Sequence, residues 1–118
     1  MKLTKVDFGA AEPIAGYGPD FFRIGDTAHP APLLVAPGVV QVWGGYDDAD
    51  PLLALAGQID VLLIGTGAQI APIPAALRTR LDDAGIGVEI MASATACRTY
   101  NVLLSEGRRI AAALLPAA

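Results

Sequence analysis

Asp60-Val61-Leu62-Leu63-Ile64-Gly65-Thr66-Gly67 is the stretch that decides the fold. Four apolar residues in succession, closed by a glycine, read as a strand buried on both faces, and a strand of that kind belongs in the middle of a sheet. Gly65 and Gly67 stand where the strand ends and permit a tight turn and a close approach to the main chain. The segments that follow alternate between helical and strand patterns. Pro74 to Ala84 is a helix with Pro74 at its first position and an apolar stripe of Ile73, Leu77, Leu81 and Ala84. Val88 to Met91 is a strand, Thr95 to Glu106 a helix with a core stripe of Ala96, Tyr100, Leu103 and Leu104, and Ile110 to Leu115 a final core strand. This alternation predicts an α/β protein, and the right-handed crossover rule makes the final strand parallel to the central one.

Upstream, Leu33 to Ala36 and Val39 to Trp43 are β-branched and apolar runs joined by Pro37-Gly38, which predicts a β-hairpin. Asp50 as N-cap and Pro51 at the first position start a short helix that Gly57 stops, with Asp47 and Asp48 adding charge suited to its dipole. Phe21 to Ile24 is a short strand. Ala10 to Pro19, dense in glycine and proline, reads as an irregular surface segment, and Met1 to Phe8 as an edge strand or extended arm.

The 118 residues suit one domain, spanning 1–118, that needs no disulfide or metal to hold its core. Hydrophobic residues make up 53% and charged ones 17%, an apolar balance that predicts contact with another chain, either a protein partner or a second copy. A net charge of -4 without a basic run argues against nucleic acid. The one cysteine and one histidine exclude an internal disulfide and a zinc site of the usual ligand set, and no cofactor is expected. Prolines break the uncharged stretches, so no membrane span is expected. The first residues lack the apolar core of a secretory signal, and the expected location is cytoplasmic.

Three groups of residues are candidates for chemistry. Gly65-Thr66-Gly67 suggests a nucleotide turn, but Ile70 occupies the place of the third glycine of a dinucleotide fingerprint and no Gly-Lys-Ser/Thr follows. Amides near Gly67 and Ala68 remain as a small anion nest. Cys97, close to a helix start and beside Arg98, has the setting that lowers a thiol pKa, and His29 is the one histidine that would serve it as base. The alternative is a buried cysteine acting as a small hydrophobe. Arg98 and Asn101 offer donors for a carboxylate or phosphate, or hydrogen bonds to neighbouring loops. The ligand-binding candidates are therefore Gly65, Thr66, Gly67, Cys97, Arg98 and Asn101, with no catalytic pair of carboxylates and no metal ligands.

Several motifs in order carry a resemblance: Tyr17-Gly18 before Phe21-Phe22-Arg23-Ile24, the hairpin ending in Trp43, Leu62 to Gly67, Gly85-Ile86-Gly87-Val88-Glu89, Ala96 to Asn101, and Glu106-Gly107-Arg108-Arg109. Over nearly its whole length the chain resembles the adipogenesis-associated Mth-type domain family, which includes a mitochondrial complex I assembly factor. The resemblance implies a three-layer fold with a central mixed sheet flanked by helices, an N-terminal hairpin and an antiparallel last strand. It implies a non-enzymatic binding or assembly module, related to respiratory complex I and with a respiratory-complex subunit as partner. No presequence of the mitochondrial kind is evident, so the chain looks like the compact bacterial form. The alternative from the residues is a small-molecule or anion site, with or without an enzymatic activity, at the Gly65–Gly67 turn and the Cys97–Asn101 helix start.

Overall fold

The computed structural model describes residues 12–118. Its elements are β1 (Ile14–Tyr17), β2 (Phe21–Ile24), β3 (Thr27–Pro30), β4 (Leu33–Ala36), β5 (Val39–Val42), α1 (Asp50–Leu53), β6 (Val61–Gly65), α2 (Ala75–Asp83), β7 (Gly87–Met91), α3 (Ser93–Ser105) and β8 (Ile110–Leu114). The arm expected over Met1 to Phe8 lies outside the described residues.

Two sheets form. β1, β2 and β3 make an antiparallel meander, and the larger sheet has the order β5-β4-β8-β6-β7. β6 pairs parallel with both β7 and β8, whereas β4 pairs antiparallel with β8 and with β5. The sheet is therefore mixed, as the resemblance implied. The last strand is antiparallel only toward β4, however, and the implied antiparallel last strand is corrected on its β6 side. The crossover rule accounts for this: β6-α2-β7 steps one way along the sheet and β7-α3-β8 steps back across β6, so right-handed connections put α2 and α3 on opposite faces.

The alternation of side chains in the central strands divides the core in two. Leu33, Val35, Leu63, Ile110, Ala112 and Leu114 point to α3 and the small sheet, where they meet Ile14, Phe22, Ile24, Ala96, Cys97, Tyr100 and Leu104. Leu34, Ala36, Leu62, Ile64, Ala111 and Ala113 point the other way, toward Leu52, Leu77, Leu81, Ile86 and Trp43. The layers are thus α1 with α2, the five-stranded sheet, and α3 with the small sheet. β8 is fully buried along its length, and its three consecutive alanines let both helical layers approach the sheet closely.

Three local expectations change. Ala10 to Pro19 contains β1, whose pairing with β2 slips between Ile14 and Gly16; the glycine and proline content that suggests a loop marks a bulged edge strand instead. Ala49, not Asp50, stands at the N-cap of α1, and Asp50 lies in its first turn. Asp48 is a loop clamp: its Oδ2 accepts the Gly44 N–H at 2.9 Å and its carbonyl accepts the Trp43 Nε1–H at 2.9 Å. Pro74 is the N-cap of α2 rather than its first helical residue. The hairpin forms as read, with Gly38 at φ 73°, the conformation required after proline in a type II turn.

Candidate functional site

The C-terminal edge of β6 is tied to the start of α3 by one side chain. Ser93, fully buried, accepts the Gly67 N–H at its Oγ at 2.9 Å and donates the hydroxyl proton to the Leu115 carbonyl at 2.8 Å. Its own N–H donates to the Gly67 carbonyl at 2.9 Å, and the Leu115 N–H donates to the Gly65 carbonyl at 3.0 Å. The ends of β6 and β8 and the first turn of α3 are joined in this way. Gly65 is a glycine because of that closeness: a Cβ there would stand 2.7 Å from Ser93 Oγ, 2.9 Å from Ser93 Cα and 3.0 Å from a methyl of Leu114. Gly67 has φ 109°, a backbone conformation suited to glycine.

Thr66 holds the loop that follows. Its Oγ1 lies 2.8 Å from the Gln69 carbonyl and 3.2 Å from the Met91 carbonyl, which compete for its one proton, and it accepts the Ala71 N–H at 3.0 Å. The Thr66 N–H donates to Met91 at 2.8 Å. The hydroxyl of Thr66 and the amide of Gly67, both expected to face a ligand, are thus engaged within the chain, the first by backbone carbonyls and the second by the Ser93 hydroxyl.

Farther along α3 the candidates separate. Cys97 is buried in the α3-side core, and burial pushes its thiol up to about 12 against the opposing pull of the Arg98 charge. The activated thiolate suggested by the helix start is therefore replaced by an inert thiol, because desolvation outweighs a cation that faces water. Arg98 is exposed and reaches Thr95 Oγ1 at 3.5 Å. Asn101 faces β1: its Oδ1 accepts the Ile14 N–H and its Nδ2 donates to the Ile14 carbonyl, both at 2.8 Å. An asparagine amide presents the same acceptor and donor as a peptide group, so Asn101 acts toward β1 as one residue of a partner strand and docks the small sheet on α3. A cavity of about 230 Å³ lies between Tyr46, Pro74, Leu77 and Arg80, and another of about 240 Å³ beside Tyr17 and Ala118. None of the six candidate residues lines either. Among the described residues no cluster of three metal-ligating side chains occurs.

The apolar spacing starts the helix at Thr95 and passes over Ser93, the hub of this edge, where α3 in fact begins. A small hydroxylated residue just ahead of an apolar helical stripe is the available signal.

The burial of Cys97 and Tyr100 makes the fold sensitive to alkali. Burial raises the Tyr100 phenol to about 12 from 10.0, and the Cys97 thiol to about 12 from 9.0. Both folded-state values exceed the unfolded ones, so the unfolded chain releases these protons first, and stability falls as pH rises from about 9 toward 12. Denaturant midpoints measured across that range should fall less steeply for Tyr100→Phe than for the parent chain. At neutral pH Cys97 should react with thiol reagents only when the chain unfolds.

A family model described as protein of unknown function (DUF498/DUF598) matches residues 14–115. The chain belongs to this family. This DUF498/DUF598 chain is 52% identical over 116 residues to an uncharacterized protein of Rhodobacter capsulatus, covering 98% of this chain and 94% of that one. The NADH dehydrogenase [ubiquinone] 1 alpha subcomplex assembly factor 3 of Danio rerio is 32% identical over 123 residues, covering 98% of this chain and 71% of that protein. The solution structure of a Mth938-like domain from Bordetella pertussis matches with a TM-score of 0.77 at 28% identity, covering all of this chain and 94% of that one. The crystal structure of a protein from Bartonella henselae, described as an outer membrane protein, matches with a TM-score of 0.83 at 34% identity, over 91% of this chain and 96% of that one. The resemblance to Mth-type domains is thereby established for this DUF498/DUF598 chain. No described helix is long and apolar enough to cross a membrane.

Proposed function

We propose that the chain is a non-enzymatic binding and assembly module of the cytoplasm that acts on a protein partner during assembly of respiratory complex I. The observation that carries this reading is the 32% identity, over 98% of the chain, to a protein named as a complex I assembly factor. The local chemistry agrees with it. At the edge of β6, where α/β proteins commonly place their ligands, the Thr66 and Ser93 hydroxyls are held by backbone carbonyls and the Gly67 amide by the Ser93 hydroxyl, all of the same chain. Exposed apolar side chains, Ile70 on the loop after Thr66 and Val102 on the outer side of α3, offer contact area for a protein surface.

The test is a pair of measurements in the source organism grown under respiratory demand. Affinity capture of the tagged chain should recover a respiratory-complex subunit or a precursor of one, and deletion of the gene should lower the amount of assembled complex I. Complex I at parental abundance in the deletion strain removes the respiratory part of the proposal. Failure to recover any specific protein removes the partner.

A further inference from the structure

The two edges of the five-stranded sheet are chemically unlike. β7 carries Glu89 at its centre, and two such edges meeting about an axis through that residue would oppose carboxylate to carboxylate, a common guard on a free edge. β5 reads Val39-Val40-Gln41-Val42, with no charge, proline or glycine, and its register with β4 runs without a bulge. The hairpin also fixes which of its backbone groups are free. A two-residue loop makes Ala36 and Val39 the pair that exchanges both hydrogen bonds, and the alternation of an antiparallel ladder continues through Leu34 with Gln41. The Trp43 N–H donating to the Pro32 carbonyl at 3.0 Å fits that phase. Val40 and Val42 therefore turn their N–H and C=O groups toward the open edge, where no described residue meets them. Their side chains share one face and are 39% and 64% exposed.

We infer that β5 is a self-pairing edge on which a second copy of this chain docks antiparallel, about a two-fold axis through Gln41. In that register Val40 of each copy faces Val42 of the other, and these are the residues with outward backbone groups, so each pair exchanges both of its hydrogen bonds. The valine side chains meet across the axis on one face, and the Gln41 amides meet on the other, where each offers a donor and an acceptor. Neighbouring registers that preserve the hydrogen-bond phase carry one of these valines past the end of the strand. The strand is thus complementary to itself, as an isologous interface requires, and the sheet runs on from one copy into the next. An interface built on one short strand is small beside the roughly 1,200–2,000 Å² of stable dimers, so the pair should dissociate in the micromolar range.

Sedimentation equilibrium of the full chain between about 1 µM and 1 mM tests this. The weight-average mass should rise toward twice the 12.1 kDa of one chain, and Val42→Lys should hold it at the single-chain value without shifting the melting temperature by more than a few degrees. Ile70→Lys, at an equally exposed apolar residue outside β5, should dimerise as the parent does. Hydrogen exchange at the Val40 and Val42 amides of the parent should slow at least tenfold over the same concentration range, a readout independent of any variant. A parent that stays monomeric overturns the proposal and leaves the edge to a strand of a different protein. A Val42→Lys chain that dimerises like the parent, or loss of the dimer in Ile70→Lys alone, overturns it in favour of another face.

Discussion

A Gly65→Ala variant is expected to lose about 3 kcal/mol of stability, the upper end of what overpacking a core costs. The added methyl would stand 2.9 Å from the Ser93 Cα, and a backbone atom cannot swing aside as the end of a flexible side chain does. Relief requires α3 to move away from β6, which stretches the Gly67 N–H to Ser93 Oγ and Ser93 N–H to Gly67 O bonds together. The loss should appear as a lower urea midpoint with an unchanged slope, because the native state remains compact. A variant as stable as the parent would mean that the glycine serves an incoming ligand rather than the packing of α3.

Asn101→Ala carries the second large effect. It strips both partners from the Ile14 peptide groups at once, and since the contact is partly buried, solvent replaces them poorly. A part-buried donor and acceptor left together without partners cost about 2–4 kcal/mol. For a chain of this size that is a fall in melting temperature on the order of 10 °C. The damage should be local, with hydrogen exchange rising first in β1 and β2 while β6 and β8 keep their protection. This outcome separates the two roles considered for the residue. If Asn101 held a carboxylate or phosphate, its removal would abolish binding in a thermal-shift assay with that anion and leave the melting temperature of the free protein nearly unchanged.

The parts of the fold legible in the sequence are those set by local pattern. The uninterrupted Val61 to Ile64 run, the Pro37-Gly38 turn and the Leu77, Leu81 spacing each specify an element from a few adjacent residues, and each forms where it was read. Strand order was partly legible, since the crossover rule places β8 parallel to β6, but nothing in Ile110 to Leu114 announces that β4 lies against its other side. β1 was missed because its ladder is bulged and its pairing is completed by a side chain from residue 101, far along the chain. The site was less legible for a related reason. Gly65, Thr66, Cys97 and Asn101 are residue types that serve ligands and serve turns, caps and clamps equally well. The difference lies in what occupies the space beside them. Ser93 Oγ beside Gly67 and the Ile14 peptide beside Asn101 are placed there by contacts across the fold.

The position of β8 bears on the order in which the protein can be made. It is the strand that joins the two halves of the sheet, yet every other strand of that sheet precedes it in the chain. During synthesis the β4–β5 hairpin and the β6–β7 pair emerge from the ribosome as separate pieces, each exposing on one flank the backbone groups that β8 will later fill. They stay open until residues 110–114 have been translated and inserted between them, a pairing across much of the chain that is intrinsically slow. For that interval the nascent protein carries two unprotected sheet edges lined by leucine and valine, which makes it a natural client for chaperones that hold hydrophobic nascent chains.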